Sequence, residues 1–89
     1  MDFSMIGRSG LTQREFGEMC GVGRVTVNLW IAGKMGPHRY IRDTVERALE
    51  TVSAALDTGK LPFSATATKE ERQAAVTRMA TEVRDAQTT

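Results

Sequence analysis

The sequence predicts an all-α fold: a small bundle of short helices with a long fourth helix and a C-terminal tail helix. Three observations carry that expectation. Thr12–Glu15 and Thr68–Glu71 both read Thr-x-x-Glu, the form of a capping box in which two side chains satisfy backbone N–H groups at a helix start. Gly21 and Gly33 stand where short helices would end, at positions that need a residue tolerant of positive φ. Between Ile41 and Leu56 the apolar residues recur at helical spacing.

Phe3, Met5 and Ile6, followed by the breakers Gly7 and Ser9-Gly10, predict a short first helix over Phe3–Arg8. The Thr12 capping box then opens a second helix over Gln13–Cys20. Leu11 before the cap and Phe16 at the fourth helical position are placed for a hydrophobic staple. Phe16, Met19 and Cys20 share one face at i, i+3, i+4 spacing.

The stretch GVGRVTVNLW, residues 21–30, is locally ambiguous. Arg24, Thr26 and Asn28 alternate with Val25, Val27 and Leu29, which by itself argues for a strand. A strand needs a pairing partner, and no other segment reads as one, so a lone strand here would be unstable. Val22, Thr26 or Val27, and Trp30 also fall at helical spacing. The expectation is therefore a helix over Arg24–Ala32, closed by Gly33, with Arg24, Val25, Asn28 and Leu29 on its outer face.

After the loop Lys34–Arg39, Pro37 is positioned to start a long helix over residues 38–57. Ile41, Val45, Ala48, Leu49, Val52, Ala55 and Leu56 form its apolar stripe, and Arg42–Glu46 and Asp43–Arg47 pair across its outer face. A helix of about 20 residues is ~30 Å long, more than the front half can cover. Residues 1–60 are thus expected to form one unit that includes the long helix 38–58. Residues 61–67 read as a linker, and 68–89 as a C-terminal helix available as a dimerisation or partner arm. The apolar side of that last helix, Ala75, Val76, Met79, Ala80 and Val83, is alanine-rich and either docks or frays. Glu70-Glu71-Arg72 reads as its solvated first turn.

The 89-residue chain has the composition of a globular domain, 40% hydrophobic and 26% charged. One cysteine and one histidine exclude an internal disulfide and a Cys/His zinc cluster, and point to a reducing cytoplasm. MDFSMIGRSG has neither a basic n-region nor a long apolar run, so no secretion signal is expected; no stretch reaches membrane-spanning length. No metal, cofactor or small-molecule ligand is expected. Catalysis is excluded for want of a nucleophile, base and paired carboxylates in an apolar setting. The net charge of +1 hides an asymmetry, +3 over residues 1–42 and −2 over 43–89. A basic front half suits a polyanionic partner.

Two short helices joined by a glycine-containing turn have helix-turn-helix geometry. Within LTQREFGEMCGVGRVTVNLWIAGK, residues 11–34, Leu11-Thr12-Gln13, the Gly21-Val22 turn, Thr26-Val27-x-x-Trp30 and Gly33 stand at fixed offsets. In these residues the chain resembles the Cro/C1-type (XRE-like) helix-turn-helix family of DNA-binding regulators. The long helix ending in Thr58-Gly-Lys-Leu-Pro62 resembles, less specifically, the small Cro-like proteins of phages and prophages. The chain departs from the family pattern at Gly17, where alanine is frequent, and at Ile31, where a polar residue is usual; its first helix is also shorter.

The resemblance implies a lambda-repressor-like bundle and a repressor acting as a homodimer on double-stranded DNA. It implies that Gln13 fixes a phosphate and that Arg24, Val25, Asn28 and Leu29 face base edges. Arg24 would take guanine through O6 and N7, Asn28 adenine or a phosphate, and Val25 or Leu29 a thymine methyl. Thr26, Lys34, His38 and Arg39 would hold backbone phosphates. The competing expectation is a protein-interaction module, antitoxin-like or an adaptor, which the apolar Val25 and Leu29 would favour. Trp30 and Cys20 are expected in the core.

Overall fold

The computed structural model describes residues 2–88; residues 1 and 89, the outer ends of the two expected units, lie outside the described residues. Five helices form, with no strand among the described residues: α1 Ser4–Arg8, α2 Gln13–Cys20, α3 Arg24–Ile31, α4 Arg42–Asp57 and α5 Lys69–Thr88. The alternating stretch is helical, as the missing strand partner requires.

Local chemistry writes both ends of α2 and the start of α5. At α2 the Thr12 hydroxyl accepts from the Glu15 N–H at 3.1 Å, and the Glu15 carboxylate accepts from the Thr12 N–H at 2.8 Å. The expected capping box is complete. Gly21 ends α2 at φ 77°, a left-handed conformation that a side chain would resist. At α5 the Thr68 hydroxyl accepts from the Glu71 N–H at 3.1 Å, while the Glu71 carboxylate accepts from the same hydroxyl.

The fourth helix starts later than its periodicity suggested. His38 Nδ1 accepts from the Tyr40 N–H at 3.2 Å and the His38 carbonyl accepts from the Ile41 N–H at 2.9 Å, so residues 38–41 form a turn. A side chain that bonds its own backbone offers an alternative to the helix. α4 begins at Arg42 and runs 16 residues, about 24 Å.

One core serves the whole chain. Phe16, Met19 and Cys20 of α2 are buried with Val27 and Trp30 of α3 and with Val45, Ala48, Leu49, Val52 and Ala55 of α4. Ile6 and Leu11 join them, and Phe3 stacks on Trp30 with ring centroids 5.8 Å apart. Burial pushes the Cys20 thiol up to about 12. From α5, Val76, Met79, Ala80 and Val83 are buried in the same cluster, and α5 packs along both α2 and α4. The excess length of the fourth helix is thus covered by the chain itself. The segment expected as a linker buries Leu61 and half-buries Phe63. The Cα radius of gyration, 12.3 Å, matches the value of about 12 Å for one globule of this length.

Arg72 departs from its reading as part of a solvated turn. Its guanidinium lies 4.6 Å from the Phe63 ring centroid and reaches the capping carboxylate of α2, Nη2 to Glu15 Oε1 at 2.7 Å and Nε to Glu15 Oε2 at 3.2 Å. It also donates to the Gly10 carbonyl at 3.1 Å. Gln73 donates to Glu18 on the next turn of α2. The tail helix is clamped to the start of α2.

Candidate nucleic-acid interface

α3 is held on α2 by a close approach at Gly17. A Cβ at Gly17 would stand 2.6 Å from the Val22 carbonyl oxygen, and the Gly17 carbonyl accepts from the Val22 N–H at 2.9 Å. The alanine common in the resembled family does not fit this turn. Gly23 precedes α3 in extended conformation and places no side chain over its first turn.

α3 turns Val27 and Trp30 into the core and leaves Arg24, Val25 and Asn28 exposed. Among the described residues, Arg24 and Asn28 have no side-chain hydrogen bond or ion pair. Thr26 and Leu29 are half-buried at the edges of that face. Leu29, expected to stand outward with Arg24, is set back; its carbonyl accepts from the Lys34 N–H at 3.0 Å as the chain turns away. Of the expected contact residues, α3 brings together Arg24, Val25, Thr26, Asn28 and Leu29. Lys34, His38 and Arg39 are exposed on the loop that follows. Gln13, the first residue of α2, is half-buried on a neighbouring element.

The loop carries an organised group that sequence reading overlooked. Tyr40 is 77% exposed, yet its ring stacks on His38 at 4.8 Å, and the Arg39 guanidinium sits 5.0 Å from its centroid. Arg39 Nη2 also donates to the Tyr40 hydroxyl at 3.2 Å. Arg42 stands exposed at the start of α4. Two signals were available in the sequence. Residues 19–42 contain no acid at all, while holding Arg24, Lys34, Arg39 and Arg42. An aromatic residue among such cations is also a familiar feature of nucleic-acid surfaces.

Apolar exposure gathers in the same place. Val25 at 66%, Ile31 at 42%, Met35 at 49% and Tyr40 are the large hydrophobic side chains that the described residues leave open. All four fall on α3 or the loop after it. Two clefts, about 640 Å³ between the starts of α2 and α5 and about 720 Å³ between α4 and α5, take no residue from α3 or that loop. No helix among the described residues is long and apolar enough to cross a membrane. No family model, curated protein or solved structure matches the chain.

Proposed function

We propose that this protein is a sequence-specific double-stranded DNA-binding regulator, a repressor that binds an inverted-repeat operator as a homodimer. The observation that carries the reading is the unpartnered edge of α3. Arg24, Val25 and Asn28 face solvent from the first five residues of α3, inside a run of residues without a single acid. The major groove is about 12 Å wide, admits one α-helix and displays a distinct donor and acceptor pattern for each base pair. The resemblance of residues 11–34 to the Cro/C1-type family supports the same placement.

On this reading α2 crosses the phosphate backbone, with Gln13 on a phosphate, and α3 enters the groove. Arg24 takes guanine and Asn28 takes adenine or a phosphate. Thr26, Lys34, His38 and Arg39 hold phosphates, joined by Tyr40 and Arg42 from the loop and the start of α4. One α3 reads only a few base pairs. Useful affinity then requires two copies on half-sites about 34 Å apart, and repression follows from occupying a promoter. Such a protein works in the cytoplasm, at the nucleoid.

A second reading, a protein-interaction module of the antitoxin or adaptor kind, is favoured by the apolar exposure of Val25, Ile31 and Met35. Selection of bound duplexes from a random pool separates the two. The DNA reading predicts enrichment of an inverted repeat with half-sites one helical turn apart. Recovery of unenriched sequence would leave the protein-interaction module standing.

A further inference from the structure

We infer that the turn between α3 and α4 is a stacking platform, on which Tyr40 takes the face of an unpaired base from a single-stranded nucleic acid. The site lies outside the α3 edge and stands whether or not that edge reads a duplex.

The starting observation is an aromatic ring held in place away from the core. Tyr40 is 77% exposed and takes no part in the buried cluster. Its backbone N–H donates to His38 Nδ1 at 3.2 Å, and the Ile41 N–H donates to the His38 carbonyl at 2.9 Å, which fixes the turn. The His38 ring stacks on the Tyr40 ring with centroids 4.8 Å apart and planes 28° from parallel. The Arg39 guanidinium, 5.0 Å from the same centroid, also donates to the Tyr40 hydroxyl at 3.2 Å. Three consecutive side chains hold one another in a stack. A ring ordered before binding has little freedom left to lose.

The surroundings choose the partner. Lys34, Arg39 and Arg42 are exposed along this stretch, and residues 19–42 hold no acid, so a chain of phosphates is attracted here. The phenol O–H can serve a phosphate, but the ring face cannot, because its quadrupole is negative. The group that suits an aromatic or guanidinium plane is another flat π-system. In a duplex each base is stacked between its neighbours and shows only its edges in the grooves. An unpaired base has a free face. Cations along the backbone with aromatic rings under the bases hold single strands without sequence preference.

The test measures binding of the full chain to short end-labelled oligothymidine and oligouridine. Each is run beside a strand of equal length in which abasic sites replace the bases. Abasic strands keep every phosphate and remove every stacking face. The unchanged protein is expected to bind the base-bearing strand about tenfold more tightly than its abasic counterpart, the worth of one stacked base. Tyr40→Ala should lose that margin, and Tyr40→Phe, which keeps the ring, should retain most of it. A margin on either strand that disappears with Tyr40→Ala supports the platform and tells DNA from RNA. Equal binding of base-bearing and abasic strands, or a margin that survives Tyr40→Ala, overturns it. No selected duplex enters these measurements, so this inference and the α3 reading fail separately.

Discussion

Arg72 and Glu15, 57 residues apart in the chain, form a bidentate ion pair that ties the first turn of α5 to the first turn of α2. Glu15 is at once the reciprocal member of the α2 capping box and the anchor for the tail helix. Neither side chain is freely solvated, at 29% and 14% exposure, so the pair is screened less than a surface bridge. Arg72→Ala is expected to destabilise the fold by about 2 kcal/mol, read as a fall of ~10 °C in Tm. Glu15→Gln should lose part of the same stability, and the double variant should lose less than the sum of the two.

The same carboxylate sets a pH response. Burial alone would raise Glu15, but the hydrogen bonds from Arg72 and from the Thr12 backbone, with the Arg72 charge, outweigh it and hold Glu15 below its ordinary value of 4.5. A lowered folded value adds stability above the ordinary one, and that stability fades as pH falls through the folded value. Chemical denaturation from pH 7 downwards should show Glu15→Gln less acid-sensitive than the unchanged protein below about pH 4.5. Parallel curves would contradict the assignment.

Two glycines of helical conformation should respond oppositely to alanine. Gly7 in α1 has nothing within 4 Å of an added Cβ, so Gly7→Ala should stabilise by about 0.5–1 kcal/mol through helix propensity. Gly17 faces the Val22 carbonyl at 2.6 Å, so Gly17→Ala should destabilise by about 1–3 kcal/mol and disturb the α2–α3 turn. Thermal melts of the two variants read both signs at once.

The buried residues of α5 make the tail part of the fold. A chain ending at residue 67 would lose Val76, Met79 and Val83 from the core, each contributing about 1.5–3 kcal/mol. That sum approaches the whole stability of a small domain. The shortened chain should melt without a cooperative transition. A sharp transition near that of the full chain would show that residues 1–67 stand alone.

How far the sequence disclosed this fold follows from how local each interaction is. The α2 cap lies within four residues, Thr12 to Glu15, and the Gly21 terminus within one, so both were legible. The apolar stripe of α4 was legible too. Its start was not, because Pro37 suggested a helix where the His38 ring instead accepts from the Tyr40 backbone. The apolar side of α5 was legible, but whether it docks or frays was not, since docking depends on the Arg72–Glu15 pair and on covering α4 from a distance in sequence. At the candidate interface the outward face of α3 was read correctly for Arg24, Val25 and Asn28, and Leu29 was not. Tyr40 was overlooked because its partners, His38 and Arg39, were read singly as phosphate contacts.

Lys34 tests the backbone half of the proposed interface. It is exposed on the loop after α3 and makes no ion pair among the described residues. Lys34→Ala should weaken binding to all duplexes about equally and reduce the slope of log K against log salt by about 0.9. An unchanged slope would remove Lys34 from the phosphate contacts.

Arg24 tests the central claim, that the free edge of α3 recognises base pairs. Affinities of the unchanged protein and of Arg24→Ala are compared on the selected duplex and on its single-base-pair variants. The predicted result is a loss of about 1–3 kcal/mol on the selected duplex, with discrimination relaxed at one G·C pair per half-site and kept elsewhere. Equal affinity of the two proteins, or an even loss across every variant with discrimination intact, would contradict it.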